Sequence, residues 1–387
     1  MNNVSALIKQ LYTKTVQSLL EERLIAMDLA NVRRISGGNS LKNPRGQYMN
    51  VDSYEKYTDV EDQGINYADE ELVINKTPII SFVYDEVDGL ENGYDVVSLE
   101  APKAAYRIKQ DIEGNFFNEV LNAGSTNAAA VKLIPEGATK NVVNTYGRAY
   151  ASLINEGVDD ANISLTVDPF QLSDIGESAI GNTFKVSDET FKRGYKGSFQ
   201  NMRLYVSTNL TAYCEVALNA VTTANDTLTV NGVTFKIVAA LANAWDVLKG
   251  ASVAATRANL RSAIMGLSGA GTTYKEVTSL NRTKLEGIIA NDDTGNSLEI
   301  TSKRGYKVIA SNFDNAANKC GAVIINNALM ENGSIDLGLQ KEVNLKVQDV
   351  QKQLATRYMT WWRYWLKTFT EGAEKMYRLQ IIAQDAE

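Results

Sequence analysis

Histidine is missing from this sequence altogether. Its absence removes the side chain that titrates near neutrality, the commonest zinc ligand and every histidine-based catalytic triad. Cysteine is nearly absent too, with Cys214 and Cys320 as the two thiols. Their wide separation gives no metal-ligand spacing; they can pair, and buried unjoined thiols are the simpler expectation. No apolar run reaches the roughly eighteen residues of a membrane span. The opening stretch MNNVSALIKQLYTKTVQ lacks a signal peptide's apolar core, so synthesis and use in a cytosol are expected. The formal charge of −7 gives no general attraction to nucleic acid.

The remaining polar clusters do not assemble a reaction centre either. Asp159-Asp160 and Asp292-Asp293 sit among glycine and asparagine, where adjacent loop carboxylates lack the fixed separation of an acid/base pair. Asp292 to Asn296 resembles part of a calcium loop but lacks the full spacing and the closing glutamate. Lys192-Arg193-Gly194-Tyr195-Lys196-Gly197 has no Gly-Lys-Ser/Thr ending and is not a phosphate loop. No nucleophile, base and orienting group come together. The expectation is a non-enzymatic protein with no catalytic residue, metal or cofactor, built for structure or binding.

What is present is core-forming material: 44% of the 387 residues are hydrophobic, enough for two or three domains. The organising stretch is Ser98–Ala123. Its apolar residues Ala101, Ala104, Ala105, Ile108, Ile112, Phe116, Val120 and Leu121 recur at three and four, placing them on one face of a long helix. Ser98 suits its cap, Pro102 lies early enough to be tolerated, and Gly114 weakens its middle by about 1 kcal/mol. A second apolar stripe predicts a helix over Val4–Ala30. Between them, Arg34–Ala68 is rich in Gly, Asn, Asp, Lys and Tyr and too long for an idle connection. With strands at Leu72–Asn75 and Ile79–Tyr84, it reads as a long hairpin arm projecting from a body.

Beyond the long helix, a second helix from Asn144 or Thr145 ends at Gly157, and Ile163–Val167 alternates as a strand into Asp168-Pro169. A short helix from Phe170, a basic glycine-containing turn (Lys192, Arg193, Gly194, Gly197) and a strand Met202–Ser207 complete a small αβ unit. No dinucleotide-type glycine fingerprint joins strand to helix. Composition shifts at Ala224 to Ala, Thr, Asn, Ser and Gly, and Thr227–Val230, Asn231-Gly232 and Val233–Val238 predict a tight hairpin. A short helix at Thr256–Met265 and strands at Leu298–Ile300 and Tyr306–Ile309 follow, in what reads as a small domain of its own. The chain resumes with a buried strand at Ala322–Leu329, an alternating run from Ile335 to Val347 and a last strand Tyr377–Ala383. Trp361, Trp362 and Trp365 fall too close together to face one way in either a helix or a strand, so at least one ring packs on a second surface.

This order of elements resembles the major capsid proteins of tailed bacteriophages, whose shell fold is shared with herpesviruses. Three features carry the resemblance. Gly194-Tyr195-Lys196-Gly197 corresponds to a Gly-x-x-Gly that follows a strand ending in proline and a short helix. Tyr205-Val206-Ser207-Thr208-Asn209 is similar to the strand ending in Ser-x-Asn. Lys109-Gln110-Asp111-Ile112 looks like a reordered form of the Ile-Asp feature of the family's long helix. Where the family often has Pro and Arg before the first of these strands, this chain has Asp159-Asp160-Ala161-Asn162.

The resemblance implies an α+β, HK97-like capsid fold. Residues 1–37 would be an amino-terminal arm and 38–84 an extended loop. Residues 85–145 and 340–387 would form a peripheral domain around the spine helix 98–123, residues 146–211 and 321–339 an axial domain, and 212–320 an inserted, mainly β domain. It implies a homo-oligomer of hexamers and pentamers enclosing DNA without sequence-specific binding, in a virion capsid assembled in the host cytoplasm. Portal and scaffolding proteins would be partners, with room for a decoration protein and no membrane involved; another phage structural protein, of the tail or surface, is the alternative. Arg45, Tyr48, Tyr54, Tyr57 and Asp59 of the arm would make the inter-subunit contacts. Part of the family forms a Lys–Asn cross-link; Lys42 and Lys56 are the arm's lysines, and neither has a telling context.

Overall fold

A computed structural model describes residues 14–16, 24–34, 37–38, 40–46, 53, 56, 67–74, 76–85, 96–126, 131–134, 142–169, 171–172, 175, 184–185, 195–199, 201–220, 225–276, 278–292, 297–303, 309–349 and 355–382. A 31-residue helix, Val96–Thr126, runs through the middle of the molecule. Ala101, Ala104, Ala105, Ile108, Ile112, Phe116 and Val120 are all buried along it, as their spacing requires. The helix starts two residues earlier than its sequence suggests, so Ser98 lies inside the first turn and does not cap it. Pro102 consequently sits in the second turn, where it has no N–H to offer the Ser98 carbonyl; its ring faces solvent.

Gly114 has a packing role. A Cβ there would lie 2.2 Å from the Lys303 carbonyl oxygen, so the absent side chain lets another backbone cross the helix. The amino-terminal stripe is not one uninterrupted helix. Residues 14–16 are helical, Leu24 and Ile25 are not, and Ala26–Leu29 forms a separate short turn. Ile25 gives its N–H to the Glu113 carboxylate at 2.8 Å. A helix continued through this point would give that N–H to a carbonyl four residues back.

One side of the long helix meets a four-stranded sheet in the order Asn31–Arg34, Asp336–Asp349, Ala355–Lys367, Ile79–Asp85. Its two long central strands are antiparallel neighbours, and Asn31–Arg34 runs parallel to the first. Ser40–Gly46 and Tyr67–Val73 pair separately as a two-stranded antiparallel ribbon, from Ser40 opposite Val73 to Gly46 opposite Tyr67.

A larger sheet, eleven-stranded among the described residues, holds Ile163–Val167, Met202–Val206 and Tyr195–Phe199 on one side of Ile324–Glu331, and Ala212–Leu218 with Ser297–Ser302 on the other. The helix Val142–Asn155 covers it through Tyr146, Ala149 and Leu153. Gly157 follows with φ +88°, the left-handed geometry that ends such a helix. The hairpin Thr227–Val230/Val233–Val238 turns at Asn231 (φ 49°) and Gly232 (φ 72°), both left-handed as a two-residue turn demands.

Strand pairing departs from the expected domain boundaries in three places. Met376–Ile382 joins the large sheet, between Ile324–Glu331 and Val131–Ile134, and not the four-stranded sheet. Residues 336–339, expected in the axial part, begin a strand of the four-stranded sheet. Four strands of segment 212–320, Ala212–Leu218, Ile288–Asp292, Ser297–Ser302 and Asn318–Cys320, extend the large sheet. A small sheet of Asp246–Leu248, Val233–Val238, Thr227–Val230 and Ile309–Asn312, with the helix Val253–Met265, stands apart. Its apolar residues, Leu228, Val230 and Phe235 among them, belong to the same core as Ile108 and Phe116 of the long helix. Alternation in Ala212–Leu218 buries Cys214 and Val216 and makes that continuity.

Candidate assembly surfaces and the buried contacts behind them

The ribbon is anchored at its root. Leu41, Leu72 and Ile74 turn inward onto Trp365 and Phe369, a small apolar core separate from the main one. Lys367 Nζ donates to the Glu71 carbonyl oxygen at 2.7 Å, Thr370 donates to the Glu70 carboxylate through both N–H and hydroxyl, and Gln340 Nε2 donates to the Gly38 carbonyl oxygen at 2.6 Å. Ser40, Lys42, Glu71 and Val73 point outward. The ribbon thus has one face tied to the sheet and one face open.

Trp361, Trp362 and Trp365, whose spacing suggests an aromatic packing cluster, do not pack as one, with Trp362 and Trp365 divided between two cores. They lie on the strand Ala355–Lys367, where alternate side chains face opposite ways. Trp362 joins Tyr358 and Tyr364 in the main core toward the long helix, whereas Trp365 lies under the ribbon and Trp361 is half-buried. Gly338 stands directly opposite Trp365 in the pairing register. A Cβ on Gly338 would fall 1.6 Å from the Trp365 ring, so the indole occupies the space a side chain would need.

Glu113 is fully buried in the long helix and holds three segments together. One carboxylate oxygen accepts the Ile25 N–H at 2.8 Å; the other accepts Asn209 Nδ2 at 2.7 Å, and Lys109 Nζ lies 3.7 Å away. Asn209 is the last residue of the Ser-x-Asn run, and its own N–H donates to Ser207 Oγ at 3.1 Å. Burial raises the Glu113 pKa, and Lys109 with the donated hydrogen bonds pulls it partly back. A second tie joins helix to sheet: Tyr364 donates to Asp111 Oδ2 at 2.8 Å, and Asn115 Nδ2 donates to the Tyr364 oxygen at 2.8 Å. Burial and the Asp111 charge raise the Tyr364 pKa. Beside it, the half-buried Lys76 amine has its pKa lowered by burial, while burial raises that of Glu119 against the opposing charges of Lys76, Lys303 and Lys367.

Sequence alone points to none of these ties, although Glu113 has a visible signal: it is a lone carboxylate between Ile112 and Phe116 in the apolar stripe. Of the arm residues singled out by sequence, Arg45 lies in the ribbon opposite Ala68. Tyr48, Tyr54, Tyr57 and Asp59 lie outside the described residues, as do Lys192, Arg193 and Gly194. Gly197 is in a strand and not in a turn: it pairs with Leu204 just after a register shift, an irregularity that glycine accommodates.

Among the described residues, the strand Ile79–Asp85 is an edge of the four-stranded sheet, and it alternates exposed and half-buried residues. Ile79 and Val83 are 60% and 51% exposed on its outer face. With Val73 of the ribbon, 49% exposed, they are large apolar side chains open to solvent. Among the described residues, no group of three or more potential metal ligands comes together, and no helix is long and apolar enough to cross a membrane.

The sequence matches no protein-family model and no curated protein. Solved structures do share its fold. A chain of the capsid of cyanophage P-SCSP1u superposes with a TM-score of 0.53 at 10% identity, covering 94% of this chain and 89% of that one. For the capsid of Ralstonia phage GP4 the TM-score is 0.53 at 8% identity, with 95% and 92% covered. The mature capsid of bacteriophage PhiM1 gives 0.50 at 7% identity, with 93% and 87% covered. Over nearly its whole length, this chain therefore has the α+β fold of phage capsid chains.

Proposed function

We propose that this chain is the major capsid protein of a tailed bacteriophage, assembling as hexamers and pentamers into an icosahedral shell around double-stranded DNA. The observation that carries the proposal is the likeness of fold to three phage capsids over at least 93% of the chain. In this reading the long helix and four-stranded sheet form a peripheral part, and the larger sheet an axial part. The ribbon is the base of an extended loop reaching over a neighbouring subunit.

The physics of the arm favours that role. Residues 47–66 carry five acidic side chains against one lysine, with tyrosines at 48, 54 and 57. So polar a segment buries too little apolar surface to offset its own ordering, and a neighbouring surface supplies the rest. Tyrosine anchors then provide contact area at low entropic cost. Each contact is weak, and a closed shell multiplies it through many simultaneous engagements. The net negative charge keeps packaged DNA from binding tightly to the wall. Portal and scaffolding proteins are the partners of such a shell, a decoration protein can add to its outer surface, and assembly takes place in the host cytoplasm.

Electron microscopy of the purified full chain, alone and with a scaffolding partner, tests the proposal. Closed shells, or rings of five or six subunits, are expected, and deletion of residues 47–66 is expected to leave folded monomers. Tubes alone, or monomers under every condition, would overturn the shell assignment.

A further inference from the structure

Cys214 and Cys320 meet on neighbouring strands of the large sheet, near the two ends of segment 212–320. Cys214 lies in Ala212–Leu218, and Cys320 ends Asn318–Cys320, which pairs antiparallel with that strand through Val216 opposite Cys320. After Cys320 the chain steps out of this ladder and rejoins it at Ile324, opposite Tyr213. Cys214 falls in the gap between the two ladders, and its sulfur lies 3.1 Å from that of Cys320. The backbone is held tightly here: Gly321 donates its N–H to the Glu215 carbonyl oxygen at 2.8 Å, and its own carbonyl oxygen lies 3.1 Å from Cys214 Sγ. A Cβ on Gly321 would approach the Glu215 oxygen to 3.0 Å, so this crossing has little room to open.

We propose that Cys214 and Cys320 are a modification site, joined as a disulfide that closes the base of segment 212–320 in an oxidising medium. The sulfurs need to approach by only about 1 Å to reach bonding distance. Cys214 is fully buried and Cys320 only half-buried, so a reagent reaches Cys320 first. The hydrogen bond with Cys320, and then burial, hold the Cys214 thiol above its ordinary pKa. The Cys320 thiolate attacks a low-molecular-weight disulfide, releasing one small thiolate and leaving a mixed disulfide on Cys320. Cys214 then loses its proton to water, attacks the Cys320 sulfur and expels the second small thiolate. Two protein thiols become one cystine, and the small disulfide is reduced to two thiols. The cross-link pins both ends of a segment whose own small sheet contacts solvent, and it depends on neither the shell assignment nor a partner.

The test treats the folded full chain with oxidised glutathione, then quenches, denatures, alkylates with iodoacetamide and measures intact mass and peptide map. The expected product has lost two hydrogen atoms, takes up no alkyl group and yields one peptide pair linking Cys214 to Cys320. Prior reduction with dithiothreitol restores two alkylation sites. The Cys214→Ser chain is expected to stop at a glutathione adduct on Cys320, and the Cys320→Ser chain to take none while folded. Two alkylated thiols after oxidation, a wild-type chain halted at the glutathione adduct, or disulfide-linked dimers would each overturn the proposal.

Discussion

Gly338 and Trp365 give the sharpest test of how the ribbon is held to the body. Trp365 is 1% exposed, and its ring covers the backbone of Gly338 while Leu72, Ile74 and Phe369 close around it. Truncation by Trp365→Ala removes one of the largest buried side chains and is expected to cost about 3–5 kcal/mol. Gly338→Ala sets a methyl carbon 1.6 Å from the ring, so the indole must move, at a cost of about 1–3 kcal/mol typical of overpacking. In the Trp365→Ala background the same methyl enters vacated space. The intrinsic preference for alanine over glycine in a strand, about 0.5–1 kcal/mol, then makes the second change neutral or stabilising. The double-mutant cycle is therefore expected to show a coupling of about 1–4 kcal/mol, with the double mutant more stable than additivity allows. Urea denaturation followed by far-ultraviolet circular dichroism measures all four corners. Additivity within about 0.5 kcal/mol would refute the idea that the ring fills the glycine's space. Hydrogen exchange adds a local readout: amides of Leu41 and Leu72 should lose protection in Trp365→Ala.

Three further changes probe the contacts behind the sheet. Gly114→Ala should destabilise the protein by about 1–3 kcal/mol, because the Lys303 carbonyl stands 2.2 Å from the new carbon; stabilisation in thermal denaturation would show that helix propensity wins there. Tyr364→Phe strips the hydroxyl shared by Asp111 and Asn115 and should cost about 1–3 kcal/mol in the same assay. Glu113→Gln tests the buried carboxylate through pH. The native Glu113 pKa is raised, so the folded state holds this proton to higher pH than the unfolded chain. Its contribution to stability is full below the ordinary glutamate value, about 4.3, and is lost as pH rises through the raised native value. The stability of wild type relative to Glu113→Gln should fall as pH rises across that window in denaturation curves taken at successive pH values, and a difference independent of pH would refute the raised value.

Much of the fold is legible in the sequence because its signals are local. The stripe through Ile108, Ile112 and Phe116 specifies a helix face whatever it packs against. Asn231-Gly232 specifies a tight hairpin because few residues accept left-handed geometry twice in succession. Gly157 ends its helix for the same reason. The contacts behind the ribbon are less legible because they join residues far apart in the chain: Ile25 with Glu113, Asn209 with Glu113, Gly338 with Trp365. A glycine in an alternating run, or a glutamate in an apolar stripe, reads as a local weakness until its distant partner is in place.

Sequence by itself determined the long helix, the tight hairpin at Asn231-Gly232, the lack of histidine chemistry and the need for the tryptophans to face more than one way. Periodicity and residue type act over a few residues and need no knowledge of the rest of the chain. Tertiary structure alone decided which sheet each strand joined. Met376–Ile382 has the pattern of any buried strand, and its place beside Ile324–Glu331 follows from ladder hydrogen bonds between segments about fifty residues apart in sequence. The same holds for segment 212–320, whose composition suggests independence. Its flanking strands complete a sheet begun elsewhere, and their inward faces merge its core with that of the long helix. Burial is a property of what covers a face, and the covering surface here comes from distant parts of the chain.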